Sequence, residues 1–191
     1  MFHRSDRLLL RPVWPEDWQN ILAGIADEGV VRNLASAPWP YNAADARAFT
    51  ALPVNPRFPR FLITRAADAG LIGCIGIDPS DAVDDGAELG YWIARNFWGQ
   101  GYASEAARAV IQIARMIGHE RLVASHFLDN PASGKVLRKI GFVPTGCVAM
   151  RHSCGRQAQA PTTEYLLELG AQTGLGAGAH AQPEEAGIRA A

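Results

Sequence analysis

The chemistry open to this chain centres on two glycines, a carboxylate and a serine. Gly99 and Gly101 stand at the junction of a strand pattern and a helix pattern within Glu88–Ala106, ELGYWIARNFWGQGYASEA. A glycine loop that opens a helix is a ready anion site. The first helical N–H groups have no internal partner, the helix dipole adds partial positive charge there, and glycines let a phosphate approach the backbone. Glu88 lies on the preceding strand among apolar neighbours, and a carboxylate partly removed from water becomes a better proton acceptor. Ser133 shares a helical face with Val136, Leu137 and Ile140, so its hydroxyl points inward.

The competing phosphate loops fit less well. A dinucleotide fingerprint needs a third glycine where Ser104 stands, and it follows the first strand of a sheet, whereas three strand-like segments come first here. Its ribose-binding acid, expected about 20 residues on, would be Glu120, which begins a strand instead of ending one. The Walker loop needs a Gly-Lys-Ser/Thr ending, which is missing.

The elements that must position these residues read as follows. Leu89, Tyr91 and Ile93 alternate with Glu88, Gly90, Trp92 and Ala94, which is strand period, and Ala87–Ala94 is the expected strand. Ala103, Ala106, Ala107, Val110, Ile111, Ala114 and Ile117 recur at helical spacing over Tyr102–Gly118. Before them come a strand over Arg7–Val13 and a helix over Trp14–Asp27, with Pro15, Glu16 and Asp17 suiting its first turn. A short helix over Glu28–Ser36, a proline loop at Ala37–Tyr41 and a helix over Ala43–Leu52 capped by Asn42 complete a helical insert. Arg60–Arg65 and Leu71–Ile77 read as a hairpin, followed by a polar, turn-rich Asp78–Gly86. After the central helix come a strand over Arg121–Leu128, a helix opened by Asn130-Pro131 and stopped at Gly141, and strands over Phe142–Met150 and Thr162–Leu169 around a polar loop. Residues 170–191 hold almost no bulky apolar side chain and are expected to form a disordered tail to a single domain, 1–169. The class is mixed α/β, with a mostly antiparallel sheet. The helix after the glycine loop permits one parallel strand pair.

Bulk properties narrow the function. The formal charge of −1 over 191 residues offers no basic footprint for nucleic acid. The leucine run of the N-terminus is too short for a signal sequence, and no stretch approaches the roughly 18 apolar residues of a membrane span. Cys74, Cys147 and Cys154 lack C-x-x-C spacing and are expected to be reduced thiols in a cytoplasmic protein. His119, His126 and His152 with Cys154 fit no zinc spacing, so no metal is expected.

Trp98-Gly99-Gln100-Gly101-Tyr102-Ala103 resembles the Q/R-x-x-G-x-G/A acyl-CoA pyrophosphate loop of the GNAT superfamily of N-acetyltransferases. Trp98 stands where Gln or Arg is usual, and Ala103 takes the last small position. An aromatic residue in that first place is similar to the branch that acetylates protein N-termini, the ribosomal-protein-alanine acetyltransferases. Asn130-x-x-Ser133-x-x-Val136-x-x-Lys139-x-Gly141-Phe142 resembles the late helix–strand signature of the same family, and the resemblance spans Arg7–Leu169.

The resemblance implies acetyl-CoA as co-substrate, bound at residues 98–103, with Asn130 bonding the pantetheine arm. It implies that a bulge at Ile93 and Ala94 frees N–H groups for pantetheine and the thioester oxygen. It implies Glu88 as general base for the attacking amine and a role for Ser133 near the sulfur. Many relatives carry a Tyr acid where this chain has Leu137. The implied activity is direct acetyl transfer to a primary amine, either a protein N-terminal α-amine or a small molecule such as an antibiotic or polyamine, by a monomer or homodimer. The competing function is a catalytically silent acyl-CoA-binding regulatory domain.

Overall fold

Phe61–Ile63 and Ile72–Ile77 are almost continuously buried, as strands covered on both faces must be. The computed structural model describes residues 1–80 and 86–170. Its strands are β1 (His3–Arg4), β2 (Leu8–Pro12), β3 (Arg60–Arg65), β4 (Leu71–Ser80), β5 (Gly86–Ile93), β6 (Arg121–Phe127), β7 (Val143–Ser153) and β8 (Ala158–Glu168). Its helices are α1 (Trp18–Ile25), α2 (Glu28–Val31), α3 (Ala43–Thr50), α4 (Tyr102–Met116) and α5 (Pro131–Lys139). All the strands join one sheet in the order β1-β2-β3-β4-β5-β6-β8-β7. The β5–β6 pair is parallel and the other pairs are antiparallel, as the mixed class requires.

Two hydrophobic layers cover the sheet. One joins Leu8, Leu10, Phe61, Ile63, Leu89 and Ile93 to Ala106, Val110 and Ile113 of α4 and Leu137 of α5. The other joins Leu62, Cys74 and Trp92 to Ile21 and Ile25 of α1, Val30 and Val31 of α2, and Ala46 of α3. The strand alternation of β5 thus sends Leu89 and Ile93 to one layer and Trp92 to the other. The Asn42 side chain caps α3 by accepting from the Ala44 and Asp45 N–H groups. Among the described residues, no helix is long and apolar enough to cross a membrane.

Three expectations change. Asp78–Ser80 are strand, not turn, because they pair with Glu88–Gly86 across β4 and β5. Only 81–85 remain between those strands, outside the described residues. The polar loop expected after Met150 is mostly hairpin: β7 runs to Ser153 and β8 begins at Ala158. β7 is the sheet edge and almost wholly exposed, so it carries no alternating apolar signal. Asp17 is not a solvated helix-dipole acid. It is buried and receives both guanidinium arms of Arg11, at 2.8 and 2.6 Å, and the Trp14 N–H at 2.8 Å, which ties α1 to β2. The expected tail lies outside the described residues beyond Gly170.

Candidate active site

β5 and β6 pair only at Ala87↔Leu122 and Glu88↔Val123. Beyond that point β6 keeps its pairing with β8 through Phe127 while β5 continues alone on that side to Ile93. The two strands therefore splay. In an antiparallel ladder, alternate residues direct their N–H groups to opposite neighbours. The Ala94 N–H donates to Ile72 O on β4 at 2.8 Å, so Ile93, Tyr91 and Leu89 turn theirs toward the opening.

This corrects the expected bulge. The β4–β5 register is unbroken from Gly73↔Ile93 to Ser80↔Gly86. The splay, not a bulge, exposes the N–H of Ile93, and the N–H of Ala94 is already used. The Ile93 carbonyl accepts the Trp98 indole N–H at 2.6 Å, which closes the far end of the opening.

The glycine loop follows. Gly99 and Gly101 have φ of +75° and +81°, the left-handed region that side chains with a Cβ avoid. Gly101 is the N-cap of α4 and offers no side-chain cap. The first helical bond is Glu105 N–H to Gly101 O at 3.1 Å, so the N–H groups of Tyr102, Ala103 and Ser104 have no intrahelical partner. Arg7 braces the loop from outside. It donates to Gln100 O at 3.1 Å, lies 4.4 Å above the Tyr102 ring and bonds Glu105 at 2.8 Å. Arg7 carried no local signal in the sequence, since its partners are more than 90 positions away.

A cleft of about 930 Å³ runs through the splay and onto the sheet face under α1–α3. Of the residues singled out in the sequence, it brings together Glu88, Ile93, Trp98, Gly99, Gly101, Tyr102, Ala103, Asn130 and Ser133. Ala94 and Gln100 do not line it. The side-chain oxygen of Asn130 caps α5, accepting from the Ser133 N–H at 3.4 Å, which leaves its amide N–H₂ group for other partners. Leu137 is packed in the core.

Ser133 has a partner that sequence reading missed: its Oγ lies 2.9 Å from the Tyr91 hydroxyl. Burial pushes the Tyr91 pKa up to about 12, against the opposing effect of the Ser133 hydrogen bond. Tyr91 thus stays a neutral hydroxyl across the physiological range. When it donates to Ser133, the serine proton is free to point into the cleft.

Glu88 does not stand among apolar groups alone. Its Oε1 is bonded by Arg151 Nη1 and, at 3.2 Å, by the Ser125 hydroxyl, while Arg151 Nη2 donates to Oε2 at 2.9 Å. Arg151 in turn has its pKa raised, first by that hydrogen bond and then by the Glu88 charge. Beyond Arg151, the tip of the β7–β8 hairpin is locked to the insert. Arg156 donates to Arg32 O at 2.6 Å and grips Asp129 at 2.7 and 2.8 Å, and Ser153 Oγ donates to Leu34 O at 2.7 Å. The Arg156 hydrogen bonds, followed by its charge and that of Arg32, outweigh partial burial and hold the Asp129 carboxyl below its usual range. The wall opposite the opening is therefore braced by contacts between segments far apart in sequence.

Comparison with known proteins places this geometry. Residues 7–143 match the acetyltransferase (GNAT) domain family. The chain is 32% identical over 148 residues to the uncharacterized N-acetyltransferase YoaA of Bacillus subtilis, covering 74% of this chain and 82% of that one. It is 35% identical over 79 residues to the ribosomal-protein-serine acetyltransferase of Escherichia coli, covering 41% and 44% of the two chains. Its fold matches that of a ribosomal alpha-N-protein acetyltransferase solved with coenzyme A, with a TM-score of 0.72 at 18% identity over 88% of this chain and 98% of the other.

Proposed function

The chain belongs to the GNAT acetyltransferase family, and on that footing we propose that it transfers the acetyl group of acetyl-CoA directly to a primary amine, with a protein N-terminal α-amine as the acceptor. One observation carries the reading: the β5–β6 splay ends on the uncapped N-terminus of α4 behind Gly99 and Gly101. The pyrophosphate lies on the N–H groups of Tyr102, Ala103 and Ser104. The pantetheine arm runs along the unpaired edge of β5, with the Asn130 amide beside it. The Ile93 N–H, nearest the glycine loop, bonds the pantetheine arm, and an N–H further back along the same unpaired edge, at Tyr91 or Leu89, stabilises the thioester oxygen as negative charge develops there. Ser133, supported by Tyr91, supplies a proton to the departing sulfur, whose free thiol has a pKa near ~8.5. The similarity to the Escherichia coli ribosomal-protein-serine acetyltransferase supports the protein α-amine as acceptor.

The test is thiol release from acetyl-CoA against N-terminal peptides, polyamines and aminoglycosides. Turnover highest with the peptides is expected. A preference for a polyamine or aminoglycoside would overturn the acceptor assignment, and no amine-dependent release would favour a silent acyl-CoA-binding domain. Acetyl-CoA should also raise the melting temperature, because a ligand at a hundred times its Kd adds about 2.7 kcal/mol to the folded state. NADH should leave it unchanged. A shift with NADH alone would remove the CoA site.

The same reading sets the domain end at Leu169, whose N–H bonds Glu120 O at 2.8 Å and whose carbonyl accepts from Arg115 at 3.4 Å. A chain truncated after Gly170 is expected to keep its melting temperature and its turnover. Loss of either in the truncated protein would assign residues 171–191 a part in the domain.

A further inference from the structure

The register of β4 and β5 sets a grid of residues on the floor of the cleft. Asp78 is opposite Glu88, Gly76 opposite Gly90, and Cys74 opposite Trp92. Opposed residues in an antiparallel pair turn to one face, with Cβ atoms about 4.5–5.5 Å apart. Asp78 and Glu88 therefore stand side by side, next to a row without side chains. The Arg60 side chain lies across Gly76, but the space above Gly90 is open, and a Cβ built there meets nothing within 4 Å. The result is a notch in the sheet face, bounded by the two carboxylates and by Trp92.

The two carboxylates are not equivalent. Both oxygens of Glu88 are taken by Arg151, with Ser125 as a third donor. A proton arriving at Glu88 must break a charge-assisted pair. The Asp78 carboxylate receives no hydrogen bond and forms no ion pair among the described residues. The charged groups facing it are Arg60 from β3 and Glu88 from β5. Arg151 on β7 is held by Glu88, and Asp45 of α3 lines the same cleft. Asp78 is exposed at the cleft, with Gly76 and the Arg60 side chain on one side of it and Glu88 on the other. Partial desolvation raises its pKa, Arg60 opposes the rise, and the Glu88 charge adds to it.

We propose that Asp78 binds the acceptor ammonium and takes its proton, with the amine seated in the notch over Gly90. The proposal deepens the amine acetyltransferase reading and rests on it. Asp78 carboxylate and R–NH₃⁺ become Asp78 carboxylic acid and R–NH₂. The amine lone pair forms the new N–C bond at the thioester carbonyl, and the C–S bond breaks with its electron pair leaving on sulfur. The second nitrogen proton leaves as the amide forms, the thiolate is protonated, and Asp78 returns its proton to water. Acetyl-CoA and the ammonium R–NH₃⁺ thus give amide, CoA thiol and one proton. Glu88 acts as a positioning residue that fixes Arg151 beside the notch.

The experiment is a pH–rate profile of kcat/KM for the amine at saturating acetyl-CoA, for wild type, Asp78→Asn and Glu88→Gln. Asp78→Asn should lose about a hundredfold or more in rate near neutral pH, lose the acid limb, and recover as the free amine takes over at high pH. Its affinity for acetyl-CoA should not change. Removing one of two adjacent negative charges leaves the folded state no less stable, so its melting temperature should match or exceed wild type. Formate should restore part of the rate to Asp78→Ala, because the notch can admit a small carboxylate, and a structural role would show no such rescue. Glu88→Gln should keep the acid limb. An Asp78→Asn enzyme within about threefold of wild type with its acid limb intact would overturn the role of Asp78. So would an acid limb that disappears in Glu88→Gln instead. Wild type whose thiol release no amine accelerates would overturn the amine acetyltransferase reading itself, and the role of Asp78 with it.

Discussion

Gly101→Val should weaken acetyl-CoA binding roughly a hundredfold while leaving a folded protein, as measured by calorimetric titration beside circular dichroism. The backbone there has φ of +81°, and a residue with a Cβ pays about 1–2 kcal/mol to hold that conformation. The protein itself has room, since the nearest atom to an added Cβ is Arg7 Nη2 at 3.7 Å. The remaining loss therefore falls on the ligand. Valine projects over the N–H groups at the start of α4, and hydrogen bonds to charged groups contribute about 1.5–3 kcal/mol each, where 1.4 kcal/mol is tenfold. Gly101→Ala keeps the φ cost with less bulk and should fall between the two. A native circular dichroism spectrum with an unchanged dissociation constant would place the pyrophosphate elsewhere.

Asp17→Ala should be the most destabilising single change away from the cleft. Asp17 and Arg11 have side chains 7% and 16% exposed, and removing one member of a buried pair leaves the other charge without a partner, at about 3–5 kcal/mol. The lower end applies, because Arg11 also lies 4.3 Å above the Trp14 ring. For a chain of this size each kcal/mol moves the melting temperature by roughly 2–4 °C, so a fall of about 6–12 °C is expected. The pH dependence has a definite sign. Burial alone would raise the Asp17 pKa, but the hydrogen bonds from Arg11 and the Trp14 N–H, with the Arg11 charge, hold it below the usual carboxylate range. A lowered folded pKa means that the stabilisation is complete above the unfolded value near ~3.9 and is lost as pH falls through the folded one. Wild type should therefore lose more stability than Asp17→Asn on acidification below about pH 4. Equal acid slopes in the two proteins, or an Asp17→Ala melting temperature within a degree or two of wild type, would sink the assignment.

The sequence by itself determined what contiguous residues control. The apolar spacing of Tyr102–Met116 makes α4 wherever it packs, because the side chains that share a helical face are three and four positions apart. Gly99 and Gly101 adopt left-handed φ because only glycine does so without cost, and Asn42 and Asn130 cap helices through bonds to N–H groups two or three residues on. Those local rules placed the glycine loop at the start of α4, and Asn130 and Ser133 at the start of α5. What the tertiary structure decided was every partner across the sheet. Glu88 meets Arg151, 63 positions away, and Tyr91 meets Ser133, 42 positions away. Asp78 looked like a turn residue until the register set it against Glu88. Local spacing carries no such information, because a strand shown alone does not say which residue of which neighbour lies opposite, and a shift of one residue would turn each side chain to the other face. The opening between β5 and β6 has the same origin. It arises where β6 stays with β8 while β5 stays with β4, a competition among four strands that no single segment records.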